Sequence, residues 1–184
     1  MKNFKKILKI LLLTTFTVAI GAVLYLSTRQ RGAGKPSVNG FKYKEILPGI
    51  SSEEEVVQKL GNPKERVETP EEIRLKYSSK STTRDNVVSI KEGKVFLIKE
   101  VFTAQEPVNL SFYQKILGET EIILYGKEAS ASIYLYSYPE VGVAFLASSE
   151  KGLLFEVWYF APTTEEVFRN TVAPDYKENP DELQ

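Results

Sequence analysis

Ser148 and Lys151 stand three residues apart, the S-x-x-K spacing in which a lysine amine can activate a serine for acyl transfer. The K-T-G and S-D-N elements that accompany this chemistry do not occur in the chain, and the pair falls between two apolar runs, where Ser and Lys commonly build turns. A hairpin turn is therefore expected there, not a nucleophile. The carboxylates read the same way. Glu53, Glu54 and Glu55, and later Glu165 and Glu166, open amphipathic segments, where acids complement the partial positive charge of a helix N-terminus. Among 184 residues there is no His and no Cys. That removes imidazole acid/base chemistry, thiol nucleophiles, zinc and iron–sulfur ligation, disulfides and every triad that needs a histidine. No D-x-D-x-D loop is present for calcium, and Gly32-Ala33-Gly34-Lys35 lacks the length and the Ser or Thr of a phosphate loop. Asn109-Leu110-Ser111 is formally a glycosylation sequon, but Asn109 is better explained as a helix cap. The chain is expected to be no enzyme and to use no cofactor and no metal.

The zero net charge averages two unlike segments. Residues 1–35 carry seven basic residues and no acid, which leaves 17 basic against 24 acidic residues in the remainder, a net of minus 7. Such a body repels a polyanion, so no nucleic-acid partner is expected. Residues 10–28 form 19 consecutive uncharged positions, roughly 28 Å as a helix against a hydrocarbon core of about 30 Å. The one A-x-A-like site, Ala19-Ile20-Gly21, is followed directly by more apolar sequence, which favours an uncleaved anchor over a signal peptide. Lys2, Lys5, Lys6 and Lys9 before the run, against Arg29, Arg31 and Lys35 after it, favour an N-terminus inside and a domain outside the cytoplasmic membrane.

The domain itself contains a repeat. Ser52-EEEVVQK-Leu60-Gly61 and Asn109-LSFYQKI-Leu117-Gly118 each read as a capped amphipathic helix stopped by Gly in a left-handed C-cap. Strand-like stretches follow each: Glu72 to Tyr77, Val87 to Ile90 and Val95 to Phe102 in the first copy; Ile122 to Tyr125, Ile133 to Tyr138, Val143 to Ala147 and Leu153 to Phe160 in the second. A last short helix is capped by Thr163-x-x-Glu166. The predicted fold class is α+β: an N-terminal transmembrane helix, then two tandem helix-plus-antiparallel-meander repeats forming one sheet with helices on one face. The predicted organisation is a cytoplasmic stub and anchor at 1–28, a flexible linker at 29–40, a domain at 41–174 with repeats near 41–104 and 105–174, and a disordered acidic tail at 175–184.

Pairing IRLKY at 73–77 with IYLYS at 133–137 places Tyr134, Tyr136 and Tyr138 at positions that are Arg74, Lys76 and Ser78 in the first copy, and Trp158 where the first copy has Glu100. With Glu156 and Phe160 on the same face, these residues form a candidate protein-binding surface, since Tyr and Trp offer large contact area at low entropy cost.

Pro48-Gly49-Ile50-Ser51 through Leu60-Gly61-Asn62-Pro63, followed by a strand ending at Tyr77, resembles the opening of the SmpA/OmlA (BamE-like) domain family. The tandem arrangement is similar to the β-lactamase-inhibitor-protein fold. The resemblance implies a non-catalytic protein-binding module of the cell envelope with an envelope protein as partner; the family's lipoprotein Cys is absent, and the apolar run at 10–28 stands as the membrane anchor in its place. A second implication is an inhibitor that meets an envelope or secreted enzyme with its open sheet face.

Overall fold

The computed structural model describes residues 41–183 other than Thr82, Ala104 and Glu121; the apolar run at 10–28 and the linker at 29–40 lie outside the described residues. Helix α1 (Glu53–Leu60) starts where the Ser52 hydroxyl accepts the Glu55 amide at 3.4 Å and the Glu55 carboxylate accepts the Ser52 amide at 3.0 Å. Helix α2 (Leu110–Leu117) starts where Asn109 Oδ1 accepts the Ser111 amide at 2.9 Å. Both stop at glycine, but not in the left-handed helical conformation the sequence suggests. Gly61 (φ 81°, ψ −172°) and Gly118 (φ 85°, ψ 173°) lie in the mirror-extended region that is essentially closed to other residues.

After α1 come β1 (Glu65–Glu68), β2 (Ile73–Tyr77), β3 (Asn86–Lys91) and β4 (Lys94–Val101); after α2 come β5 (Ile123–Tyr125), β6 (Ile133–Tyr138), β7 (Val143–Ser148) and β8 (Leu154–Phe160). Every pairing is antiparallel, in the order β1-β2-β3-β4-β8-β7-β6-β5, so two four-stranded meanders join through their last strands. The β3–β4 turn uses Glu92 (φ 50°) and Gly93 (φ 73°), the pair of positive φ values that suits a two-residue hairpin loop.

This architecture corrects the expected fold class. The described chain is an eight-stranded antiparallel sheet with three short helices, and the helices cover both faces, not one. Val56 of α1 and Leu110 of α2 pack with Leu75, Val88, Ile98, Phe145 and Val157 on the first face. Helix α3 (Glu165–Val167) continues as a π-helical turn, Phe168–Val172, whose Phe168 and Val172 pack with Leu124, Leu135, Trp158 and Phe160 on the second. The cause lies in β8, where apolar residues occupy both alternating sets, so both sides of the strand must be covered. Among the described residues no helix is long and apolar enough to cross a membrane. The coarse class is α+β.

Two further differences matter for the site. Strand β1 reads Glu-Arg-Val-Glu and is mostly exposed, so no apolar alternation announced it. Residues 175–184, expected to be a disordered tail, include an ordered stretch: Lys177 pairs with Tyr125 through two backbone hydrogen bonds of 2.8 and 2.9 Å, and Pro180–Leu183 forms a 3-10 turn.

Candidate functional site

The six residues of the expected aromatic surface do not share a face. Tyr136 and Tyr138 lie at the margin of the first cluster, with the helices, whereas Trp158 and Phe160 lie in the second. The pairing of the two copies was off by one residue, and a slip of one turns every side chain over. The registration that the structure does show is chemical. Tyr77 donates its hydroxyl proton to the carbonyl of Gly61 at 3.3 Å, and Tyr138 donates to Gly118 at 2.7 Å, so each copy ties β2 or β6 to the end of its own helix. Tyr134 stacks edge-on against Tyr125 with centroids 4.9 Å apart and is half-buried. Trp158 is 2% exposed and Phe160 is 1% exposed, the latter against Phe168 with centroids 4.8 Å apart. Among the described residues, β8 at the centre of the sheet is buried along nearly its whole length.

Glu156 and Trp158 nevertheless sit together, two residues apart on one face of β8, and they form part of a cavity of about 570 Å³. The Trp158 Nε1–H donates to Glu156 Oε2 at 2.6 Å, and Arg84, from the β2–β3 loop, pairs with Glu156 Oε1. Directly across the strand pair, Lys99 of β4 faces Trp158, and its ammonium lies 3.8 Å from the indole centroid. The C-terminal segment supplies the remaining wall. Its Tyr176 ring meets Trp158 edge-on at 5.5 Å and 90°, placed there by the Lys177–Tyr125 backbone pair. Gly126 permits that approach, because a Cβ at this position would stand 2.7 Å from Tyr176 Cε1.

Burial pushes the Lys99 ammonium down to about 8; Glu128 opposes the shift, Arg84 adds to it, and Asp175 and Glu72 oppose it more weakly. The Tyr176 phenol is raised, first by burial and then by Glu128. Sequence reasoning missed Lys99, Arg84, Glu128 and Tyr176. A lysine opposite the chain's one tryptophan was the available signal, but it requires the β4–β8 register. Ser148 and Lys151 meet only through the turn itself, where the Ser148 hydroxyl accepts the Lys151 amide at 3.3 Å.

A second surface lies on α2. Phe112 and Ile116, one turn apart, are 60% and 63% exposed. Counted from the two caps, the matching residues of α1 are the exposed, charged Glu55, which caps its own helix through the Ser52 amide, and Lys59, which donates to the Glu45 carbonyl. The repeat thus does flag a polar-to-apolar exchange on an exposed face, but on the helix and not on the sheet.

The fold and its sites define a two-repeat antiparallel α+β protein with a charged, aromatic-walled cavity on one face and an exposed apolar pair on the other. No protein-family model matches the chain, and no curated protein matches it. Among solved structures, it is similar to a DUF4309 family protein (YjgB) from Bacillus subtilis, with 15% identity and a TM-score of 0.49 over 67% of this chain and 88% of that one. It is also similar to a cysteine-rich secretory protein from Staphylococcus aureus, with 9% identity and a TM-score of 0.43 over 70% of this chain and 48% of that one. Neither is an SmpA/OmlA or β-lactamase-inhibitor protein.

Proposed function

We propose that this chain is a non-catalytic protein-binding module of the cell envelope, held at the cytoplasmic membrane by the apolar run at 10–28 and engaging a partner protein through the outer face of α2. The observation that carries this reading is the exposure of Phe112 and Ile116 at positions where the sister helix has charges. Apolar side chains a turn apart on a helix are the usual anchors for a groove on a partner. Lys115 is exposed on the same strip, so the matching surface is an apolar pocket with a carboxylate at its rim. Two apolar side chains and one lysine are too little for stable bilayer attachment, which needs a large apolar face and several basic residues.

Crosslinking and capture from intact cells, using the full-length chain, tests this. Phe112→Ser with Ile116→Ser is expected to lower recovery of the partner by about ten-fold or more while thermal stability is unchanged, because both side chains are solvated in the free protein. Equal recovery by both forms would sink the assignment, as would loss of membrane association without loss of partner. Topology has its own expected result: a reporter fused after Gln184 that works only in the cytoplasm stays silent. Strong signal places the domain inside.

A further inference from the structure

We propose that the cavity between β4, β8 and the C-terminal segment binds a small organic anion, its carboxylate or phosphate held by Lys99 and its apolar or aromatic body lying against Tyr176 and the apolar wall beside the buried Trp158. This is independent of the α2 surface, which lies on the other face of the sheet. The argument begins from unfilled donors. A lysine ammonium carries three N–H groups, and among the described residues that of Lys99 forms neither a hydrogen bond nor an ion pair; its close contact is the Trp158 ring. The neighbouring acids do not supply the missing partner. Glu156 uses one oxygen for Arg84 and the other for Trp158, Glu128 faces the Tyr176 hydroxyl, and Asp175, the third acid of the lining, acts on Lys99 more weakly than Glu128 and forms no ion pair with it. A cationic ligand would therefore meet three cations, Arg84, Lys99 and Lys127, and two carboxylates already engaged beside Asp175, whereas an oxyanion would find in Lys99 a donor without an acceptor.

Size and lining narrow the ligand further. About 570 Å³ lies within the range of small-molecule sites, and Leu146, Phe155 and Ile133 give the cavity apolar wall between the charged groups. A bare inorganic ion would leave that wall wet; an aromatic or aliphatic body fills it. The lowered proton affinity of Lys99 fits the same picture, because an ammonium short of partners is what a bound oxyanion would relieve.

Trp158 is the chain's single tryptophan, so its fluorescence reports this cavity alone. Benzoate and phenyl phosphate are titrated into the full-length chain, with benzamide as the uncharged isostere and inorganic phosphate as the bodiless anion. Saturable change with benzoate, phenyl phosphate or both is expected, with whichever responds assigning the head group. Binding should weaken about ten-fold or more in Lys99→Met and be retained in Lys99→Arg. Tyr176→Ala should weaken the phenyl-bearing anions and leave inorganic phosphate unaffected. The proposal fails if neither organic anion saturates the signal at millimolar concentration, if benzamide binds as well as benzoate, or if Lys99→Met binds as tightly as the parent.

Discussion

Phe168→Ala is expected to cost about 3–5 kcal/mol of folding stability, the usual range for removing a large aromatic ring from a core. Phe168 is fully buried, lies against Phe160 at 4.8 Å, and is the main apolar anchor by which the last helical segment covers the second face. Val172 and Ala173 follow it into the same cluster, but neither fills a comparable volume. The loss should appear in denaturant unfolding as a lower midpoint with little change in slope. A loss under about 1 kcal/mol would show that the second face does not depend on this segment.

Lys99→Met should act in the opposite direction and stabilise the fold, by roughly 1–3 kcal/mol near neutral pH. Holding an ammonium whose proton affinity has fallen from the ordinary 10.5 to about 8 corresponds to a destabilisation of about 3 kcal/mol, taken as an upper value because the amine keeps some contact with solvent. Methionine has similar length and no charge to desolvate, and exchanging a buried charge for a packed apolar group is often stabilising. The sign of the pH dependence follows from proton counts. Below pH 8 the lysine is charged in both folded and unfolded chains, and the penalty is complete. Between about 8 and 10.5 the unfolded chain binds the proton more tightly, so the parent's stability rises with pH and the advantage of Lys99→Met shrinks. The groups that set this balance are Arg84 on the unfavourable side and Glu128, Asp175 and Glu72 on the favourable side, while Glu156 is neutralised by Arg84. Unfolding of both proteins across pH 7–10.5 checks this; an advantage that grows with pH would overturn the account.

Local chemistry made much of the architecture legible. The Ser52 and Asn109 caps, the Gly61 and Gly118 stops and the Glu92-Gly93 turn each depend on a few adjacent residues, and the structure uses all of them. Face assignment is different, because it needs a contrast between the two alternating sets. IYLYSY in β6 offers apolar or aromatic residues in both, so nothing in its own sequence says which side meets the helices. The segment between helix and strand is also longer in the second copy: Gly61 and Gly118 are 57 apart, Tyr77 and Tyr138 are 61 apart, and a pairing at 60 inverted the strand. The candidate cavity was legible only as Glu156 and Trp158, which one strand holds on one side. Arg84, Lys99, Glu128 and Tyr176 come from four separate segments, and only the β4–β8 register and the docked C-terminus bring them together. Tyr176 was hidden further by the polarity of its neighbours, which reads as disorder.

The sheet ends in two outer strands, and each presents backbone groups that a foreign strand could copy. At β1 the defence is electrostatic: Glu65, Arg66 and Glu68 surround Val67, and Arg66 is tied back to Glu53 at 2.7 Å. At β5 it is occupancy, because Lys177 already takes the amide and carbonyl of Tyr125. The C-terminal segment that walls the cavity is thus also a guard against self-association. A chain shortened before Tyr176 would lose its ligand-facing ring and, in the same stroke, expose an adhesive edge through which copies could join strand to strand.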